Sequence, residues 1–249
     1  MIRKKQGEIE WLEFDILAGI PGVVHAIFLR HGGVSEGPYQ SLNLGGGTGD
    51  DLNKIGENRR RILKALNMEK WIGGKQVHGD TVAWVKQADQ EVGDCDGLIT
   101  DRKEIGLMIK HADCQAAIFY DPIHHAVANV HSGWRGNVKN IYGTTVQKMG
   151  KTFGSKPEDL LVGISPSLGP SRAEFINYQV EFPQTFWGFQ VQPTYFDLWE
   201  IARFQLETAG VLPYHIEIAK ICTHKNSHDF FSYRRDKTTG RNATLVTLL

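Results

Sequence analysis

The chain has 249 residues, 41% hydrophobic and 22% charged, an ordinary composition for a globular protein. Lys plus Arg and Asp plus Glu each number 28, so the formal net charge is zero. That argues against a protein that grips nucleic acid by bulk electrostatics, while leaving room for a local basic pocket. No apolar run approaches membrane-spanning length, so neither nucleic acid nor a membrane is expected as a partner. Cys95, Cys114 and Cys222 form no disulfide framework, and free thiols suit a reducing compartment. The basic segment Met1 to Glu8 leads into no signal-like apolar stretch, so a cytoplasmic location is expected. With no repeat, low-complexity tract or Pro/Ser-rich linker, residues 1–249 are expected to form one domain.

Val24 to Arg30 has the pattern of a strand, and it opens onto a glycine-rich loop from His31 to Asp50. Asp50 or Asp51 can cap a helix running to about Leu66, with Leu52, Ile55, Ile62, Leu63 and Leu66 at helical spacing. A β-rich middle follows, with strands expected at Thr81–Val85, Gly97–Thr100, Ile105–Ile109, Ala116–Tyr120 and Ala126–His131. Asp121-Pro122-Ile123-His124 reads as the turn of a hairpin between the last two. A helix fits Asn137 to about Phe153, a buried strand Leu160–Ile164, and an amphipathic helix Phe196–Ala209. The last strand is expected at Ala243–Leu248. Strands cluster and helices flank them, so the class is α+β with a mixed sheet or a pair of sheets.

Three residues carry the strongest chemical signal: His78, Cys114 and His131. Two imidazoles and a thiolate are a three-ligand zinc set that leaves a fourth position open. They lie 36 and 17 residues apart, unlike the tight pairs of a structural zinc finger. The hairpin supplies a reason for two of them to meet. Cys114 precedes one strand and His131 closes the next, and antiparallel pairing sets the start of one strand beside the end of its neighbour. Taken singly, each has a bland reading: a loop histidine, a small buried hydrophobe, a satisfied core histidine. Jointly they gain weight, because Asp113, Gly79 and the Gly133-Trp134-Arg135-Gly136 turn have no obvious packing use. His124 and His125 fall in the turn, where a solvated loop is the better reading. His111 is a candidate support for the ligands from behind.

Arg30 ends a strand beside Gly32-Gly33, a place where a guanidinium and backbone N–H groups can meet an anion. Asn43, in Ser41-Leu42-Asn43-Leu44-Gly45, is a candidate partner for a substrate hydroxyl or amide. Arginines among aromatics recur in Phe230-Phe231-Ser232-Tyr233-Arg234-Arg235.

Taken in order, these segments resemble the laccase-domain (YfiH-type) family, long labelled polyphenol oxidases and regarded as purine nucleoside enzymes. The resemblance rests on Arg30-His31-Gly32-Gly33-Val34-Ser35 with Ser41-Leu42-Asn43-Leu44-Gly45, then Gln76-Val77-His78-Gly79 and Asp96-Gly97-Leu98-Ile99-Thr100. Ala112-Asp113-Cys114, His131 to Gly136 and Phe230 to Asp236 complete it, from about residue 24 to the end. It implies zinc on His78, Cys114 and His131 and an α/β/β/α layered fold. It also implies phosphorolysis of adenosine, inosine and S-methyl-5'-thioadenosine, with adenosine deamination as a further activity. Purine nucleosides and phosphate are then the expected partners. Arg30 is the first candidate for phosphate, with Arg135 and Arg234 behind it, and Gln76 and Asn43 are candidate substrate contacts. Deamination would need activated water and a proton shuttle, for which Asp113 and Asp96 are candidates. The family usually has a cysteine after Gly-Pro where this chain has Ser171, and Ala116-Ala117 replaces a bulkier run. Two alternatives stay open: a copper-dependent polyphenol oxidase, and a cysteine hydrolase with Cys114 as nucleophile and His131 as base. Ten histidines without a His-x-His pair are poor support for several coppers.

Overall fold

Twelve of the strands form two six-stranded sheets, and the computed structural model describes residues 1–249. The first sheet runs β1 (Ile2–Gln6), β2 (Ile9–Glu13), β3 (Val23–Phe28), β14 (Asn242–Leu248), β7 (Gly106–His111), β4 (Trp71–Ile72). The second runs β13 (Ile216–Ile218), β10 (Leu161–Ile164), β8 (Gln115–Asp121), β9 (Ala126–Ser132), β6 (Gly97–Thr100), β5 (Val82–Trp84). Both are mixed: β4 with β7, β5 with β6 and β10 with β13 pair in parallel, and the remaining pairs are antiparallel. A small hairpin, β11 (Gln190–Gln192) and β12 (Tyr195–Phe196), stands apart.

Alternation along the strands sorts side chains into layers. Ile27 and Leu29 of the β3 segment, Val246 and Leu248 of β14, and Ile118, Tyr120 and Val127 of the hairpin fill the space between the sheets. Ala26, Phe28, Met108 and Leu245 face the other way, toward Ile62 of helix α1 (Leu52–Ala65). On the far side, Ala117, Phe119, Ala128 and Val130 pack against Ile141, Tyr142, Val146 and Met149 of α3 (Ile141–Phe153), and Ala202 and Leu206 of α5 (Leu198–Thr208). The layers are therefore helix, sheet, sheet, helix, as expected. Asn129 ties the two sheets by a polar link, donating from Nδ2 to the carbonyls of Leu107 (2.9 Å) and Thr244 (2.8 Å).

The hairpin that the sequence analysis pairs is present, with Ala116 opposite His131 and Tyr120 opposite Val127. Asp121 builds its turn by accepting the backbone N–H groups of Ile123 (2.8 Å) and His124 (3.0 Å). Three expectations shift. The strand expected to reach Arg30 ends at Phe28. The helix expected from Asn137 is two helices, α2 (Trp134–Val138) and α3, because Asn140 adopts a left-handed φ of 56° and caps α3 through Gly143 N–H. The helix expected from Phe196 starts at Leu198, because Asp197 accepts from Trp199 and Glu200 as its N-cap. The hairpin of β1 and β2 has no counterpart in the sequence reading. Two short helices, α4 (Tyr178–Glu181) and α6 (Tyr233–Asp236), complete the list.

His25 is buried in β3, stacked on Phe14, and its Nε2 accepts the Phe14 N–H at 2.8 Å. Burial lowers this imidazole from 6.5 to about 4. The unfolded chain therefore takes up the proton first as pH falls. The stability that goes with the neutral ring is whole above about 6.5 and is lost as pH drops toward 4. At about 1.4 kcal/mol per pKa unit, this amounts to at most roughly 3 kcal/mol. Melting temperatures of the wild type should fall over that interval, and His25→Gln, which keeps an acceptor but does not titrate, should show a shallower fall. Parallel pH profiles for the two proteins would remove His25 as the cause.

Candidate metal centre

The three ligand candidates come from three segments that meet at one end of the second sheet. His131 lies on β9, Cys114 directly precedes β8, and His78 sits in the loop between β4 and β5. Their ligand atoms all lie within 4.8 Å of one another. Cys114 Sγ is 3.9 Å from His78 Nε2, and the His78 and His131 rings are 4.9 Å apart at 80°. A tetrahedral ion about 2.1 Å from nitrogen and about 2.3 Å from sulfur would hold sulfur and nitrogen about 3.6 Å apart. The Cys114–His78 pair therefore needs a closing movement of only a few tenths of an ångström to hold a metal. The space between them exists because residue 133 is glycine: a Cβ there would lie 2.9 Å from Cys114 Sγ and 3.0 Å from His78 Cδ2.

Behind the ligands stands Asp96, with no exposed surface. It accepts from His131 Nδ1 at 2.8 Å, which leaves Nε2 for the ligand set. It also accepts the backbone N–H groups of Val77 (3.0 Å), His78 (3.0 Å) and Gly79 (2.7 Å). Burial opposes its charge, but His131 and the Gly79 and Val77 amides outweigh burial and hold the carboxyl below its ordinary value. Burial likewise opposes ionisation of Cys114, and the His131 and His78 imidazoles beside it outweigh that and lower the thiol. His131 is raised in turn: burial opposes its charge, and the Cys114 and Asp96 anions overcome that. Ionisable partners thus favour the thiolate that a metal ligand must be.

His78 and Cys114 line a cavity of about 450 Å³, within the usual range for small-molecule sites. Its wall combines apolar and aromatic residues, Leu168, Phe175, Leu198 and Trp134, with the cations Arg135, Arg234 and Lys237. Arg135 is exposed and stacks on Trp134 at 4.2 Å. Arg234 donates to the Glu174 carbonyl at 3.0 Å and lies 5.8 Å from the Phe175 ring centre. Asp113 borders the cavity with a left-handed φ of 84°, held by the Thr223 hydroxyl (2.7 Å) and the Arg234 N–H (2.5 Å).

The remaining candidates lie elsewhere. Arg30 does not line the cavity. Its guanidinium donates to the Gln40 carbonyl (2.9 and 2.6 Å) and the Ser227 carbonyl (3.1 Å), over the Phe231 ring. Asn43 is fully buried and spends its amide on Asp50, Thr48 and Gly45 of its own loop and on the Arg241 backbone N–H. Gln76 pairs with both backbone groups of Lys110, at 2.7 and 2.9 Å. Asp96 faces His131 from behind and is absent from the cavity wall. His111 bonds Thr244 at 2.9 Å, so the support expected of it comes from Asp96. Ser171 lies outside the cavity, beside Cys222. Lys237, Phe175 and Leu198 were missed. Lys237 follows the arginine-aromatic segment by one turn, a signal that was available, whereas nothing near Phe175 or Leu198 marks them.

Comparison with known proteins identifies the family and the fold. The family model described as multi-copper polyphenol oxidoreductase laccase matches residues 24–249. A purine nucleoside phosphorylase, YlmD, of Geobacillus stearothermophilus is 34% identical over 246 residues, covering 90% of each chain. A purine nucleoside phosphorylase, YfiH, of Escherichia coli is 33% identical, covering 92% of this chain and 95% of its own. The crystal structure of YlmD from Geobacillus stearothermophilus superposes with a TM-score of 0.90 at 31% identity, covering 99% of this chain and 98% of that one. No helix here is long and apolar enough to cross a membrane.

Asp96→Asn removes the charge that orients His131 and gathers the 77–79 amides. Metal affinity should fall by roughly 10–100-fold, as for other groups that orient metal-bound histidines. Competition of the protein against a chelator measures this directly, and an affinity within threefold of wild type would show that Asp96 does not orient the centre.

Proposed function

The chain belongs to the multi-copper polyphenol oxidoreductase laccase family, and from that premise we propose that it is a zinc-dependent purine nucleoside phosphorylase. Adenosine, inosine and S-methyl-5'-thioadenosine are its substrates with phosphate, adenosine deamination is a second activity, and residues 1–249 act as one catalytic domain in the cytoplasm. A single observation carries the reading: the His78, Cys114, His131 set opens onto a cavity with an aromatic wall and three cations. Purine bases take aromatic walls, phosphate takes arginine and lysine, and the reaction brings the two together at the ribose C1'. The relatives named as purine nucleoside phosphorylases support it.

In phosphorolysis a phosphate oxygen bonds to C1' as the C1'–N9 bond breaks, and the electron pair leaves with the base. Zinc on the three ligands would supply Lewis-acid polarisation of a reacting oxygen. Arg135, Arg234 and Lys237 hold the phosphate dianion where its charge counts most, inside a partly enclosed cavity. Trp134 and Phe175 border the base. Each Asp113 oxygen has one protein partner, leaving lone pairs for a ribose hydroxyl or a proton in transit. Asp113 is therefore the proton carrier assigned to deamination, and Asp96 the group that orients His131. Arg30, Asn43 and Gln76 are assigned to holding the loops, since backbone groups or loop side chains occupy their polar ends.

A cysteine hydrolase is the second reading, favoured by the sequence of contacts Asp96, His131, Cys114, an acid–base–nucleophile order. His78 on the other side of the thiol has no task in such a triad but completes a ligand set. Copper oxidase chemistry would need further histidines around this centre, and the cavity wall contributes only His78.

Incubation of the pure protein with inosine and with adenosine, with and without phosphate, followed by chromatography, tests the assignment. Free base and ribose 1-phosphate should form only with phosphate, and inosine should appear from adenosine without it. Base release independent of phosphate would replace phosphorolysis with hydrolysis. Rapid loss of activity on alkylation of the metal-loaded enzyme at Cys114 would favour the hydrolase.

Arg135→Ala tests the phosphate role with little structural disturbance, because the side chain is exposed and makes only the stack on Trp134. A charged hydrogen bond of about 1.5–3 kcal/mol corresponds to a one- to two-decade rise in the phosphate KM. The inosine KM should change little. Arg30→Ala should instead lower the melting temperature and leave the phosphate KM within about threefold, well short of one such hydrogen bond. The opposite pattern would return the phosphate to Arg30.

A further inference from the structure

A second cluster of metal-type donors stands apart from the cavity, at the edge where the first sheet meets the loop before Phe230. His31 Nε2 and His228 Nδ1 each lie 2.9 Å from the same oxygen, Oδ1 of Asp229. The two rings are 4.7 Å apart, and the three ligand atoms lie within 4.8 Å of one another. Two tetrahedral ligands about 2.1 Å from an ion are about 3.4 Å apart. The separations to Asp229 are shorter than that by about half an ångström, so the rings need only a small outward movement to admit an ion. The carboxylate is also held by Arg3, which donates to the same Oδ1 (3.0 Å) and to Oδ2 (3.1 Å), and by Asn226, which donates to Oδ2 (3.2 Å). Glu10 in turn pairs with Arg3 at 2.6 Å and offsets its charge.

We propose that His31, His228 and Asp229 form a second metal site, for a divalent late first-row ion such as Zn²⁺. Two imidazoles and one carboxylate suit that class of ion better than Mg²⁺ or Ca²⁺, which take oxygen ligands. The His228 side chain is 80% exposed, so the remaining coordination positions face solvent. The ion would take the place of the two ring-nitrogen hydrogen bonds to Asp229. It joins three segments that are distant in sequence: β1 through Arg3, the loop after β3 through His31, and the 226–229 loop. That loop runs directly into Tyr233 and Arg234 of the cavity. The site therefore anchors one wall of the active cavity without touching substrate.

The test is zinc stoichiometry by equilibrium dialysis of chelator-treated full-length protein, read by elemental analysis. Wild type should take up two equivalents and His31→Ala/His228→Ala one. The exposed single variant His228→Ala, which disturbs no buried contact, should weaken the second equivalent by roughly tenfold or more. Cys114→Ala should also retain one equivalent, which adding the His31 and His228 substitutions removes. Cobalt separates the sites by colour: the Cys114 site should show a sulfur-to-metal charge-transfer band, and the second equivalent should add none. Equal zinc uptake by wild type and the double histidine variant would overturn the proposal and leave a carboxylate hydrogen-bonded to two imidazoles. Uptake that is sensitive to the histidine substitutions and insensitive to Cys114→Ala would support this site and count against the cavity centre instead.

Discussion

The buried carboxylate of Asp96 is the contact on which the centre depends. A carboxylate without exposed surface carries a desolvation cost of several kcal/mol unless its lone pairs are filled. Here three consecutive backbone amides and the His131 ring fill them. Three amides in a row converge on one anion only if the backbone turns sharply, and His78 does so with a left-handed φ of 58°. One interaction thus places two of the three ligands: it bends the loop that carries His78 and selects the tautomer of His131. The third ligand follows from the register of β8 and β9, with Ala116 opposite His131 and Cys114 two residues earlier.

Charge is arranged locally in a chain whose formal total is zero. The Asp96 carboxylate lies behind the centre, where the His131 ring and the 77–79 amides compensate it, while Cys114 lies at the cavity wall beside His78. The cavity side carries Arg135, Arg234 and Lys237, with Asp113 as its bordering acid. Low dielectric around such a pocket makes a few cations effective there, although the protein as a whole has no basic character.

The segment from Asn226 to Lys237 connects these features. At its start Asp229 gathers His31, His228 and Arg3. At its end Ser232 caps α6 through the Arg235 N–H, and Asp113 accepts the Arg234 N–H. Its middle, Phe230 and Phe231, is fully buried. A stretch pinned at both ends and packed between holds two of the cavity's three cations, Arg234 and Lys237, on a fixed support.

Local pattern determined a good part of this protein. The Asp121-Pro122 turn, the alternating strands on either side of it and the ligand types at its ends were legible, because period-two burial and turn chemistry are properties of neighbouring residues. From them came the expectation that Cys114 and His131 lie together. Roles that depend on distant backbone were not legible. Arg30, Asn43 and Gln76 read as ligand-binding polar residues in loops. Folding gave them to the carbonyls of Gln40 and Ser227, the turn at Gly45 and the edge of β7 at Lys110. Asp96 had the reverse fate, read as a proton carrier and found behind His131. A polar side chain announces only that it needs a partner. Whether that partner is a substrate or a main-chain group far away in sequence is decided when the two sheets close on each other, since only then is it settled which polar ends remain facing an open cavity.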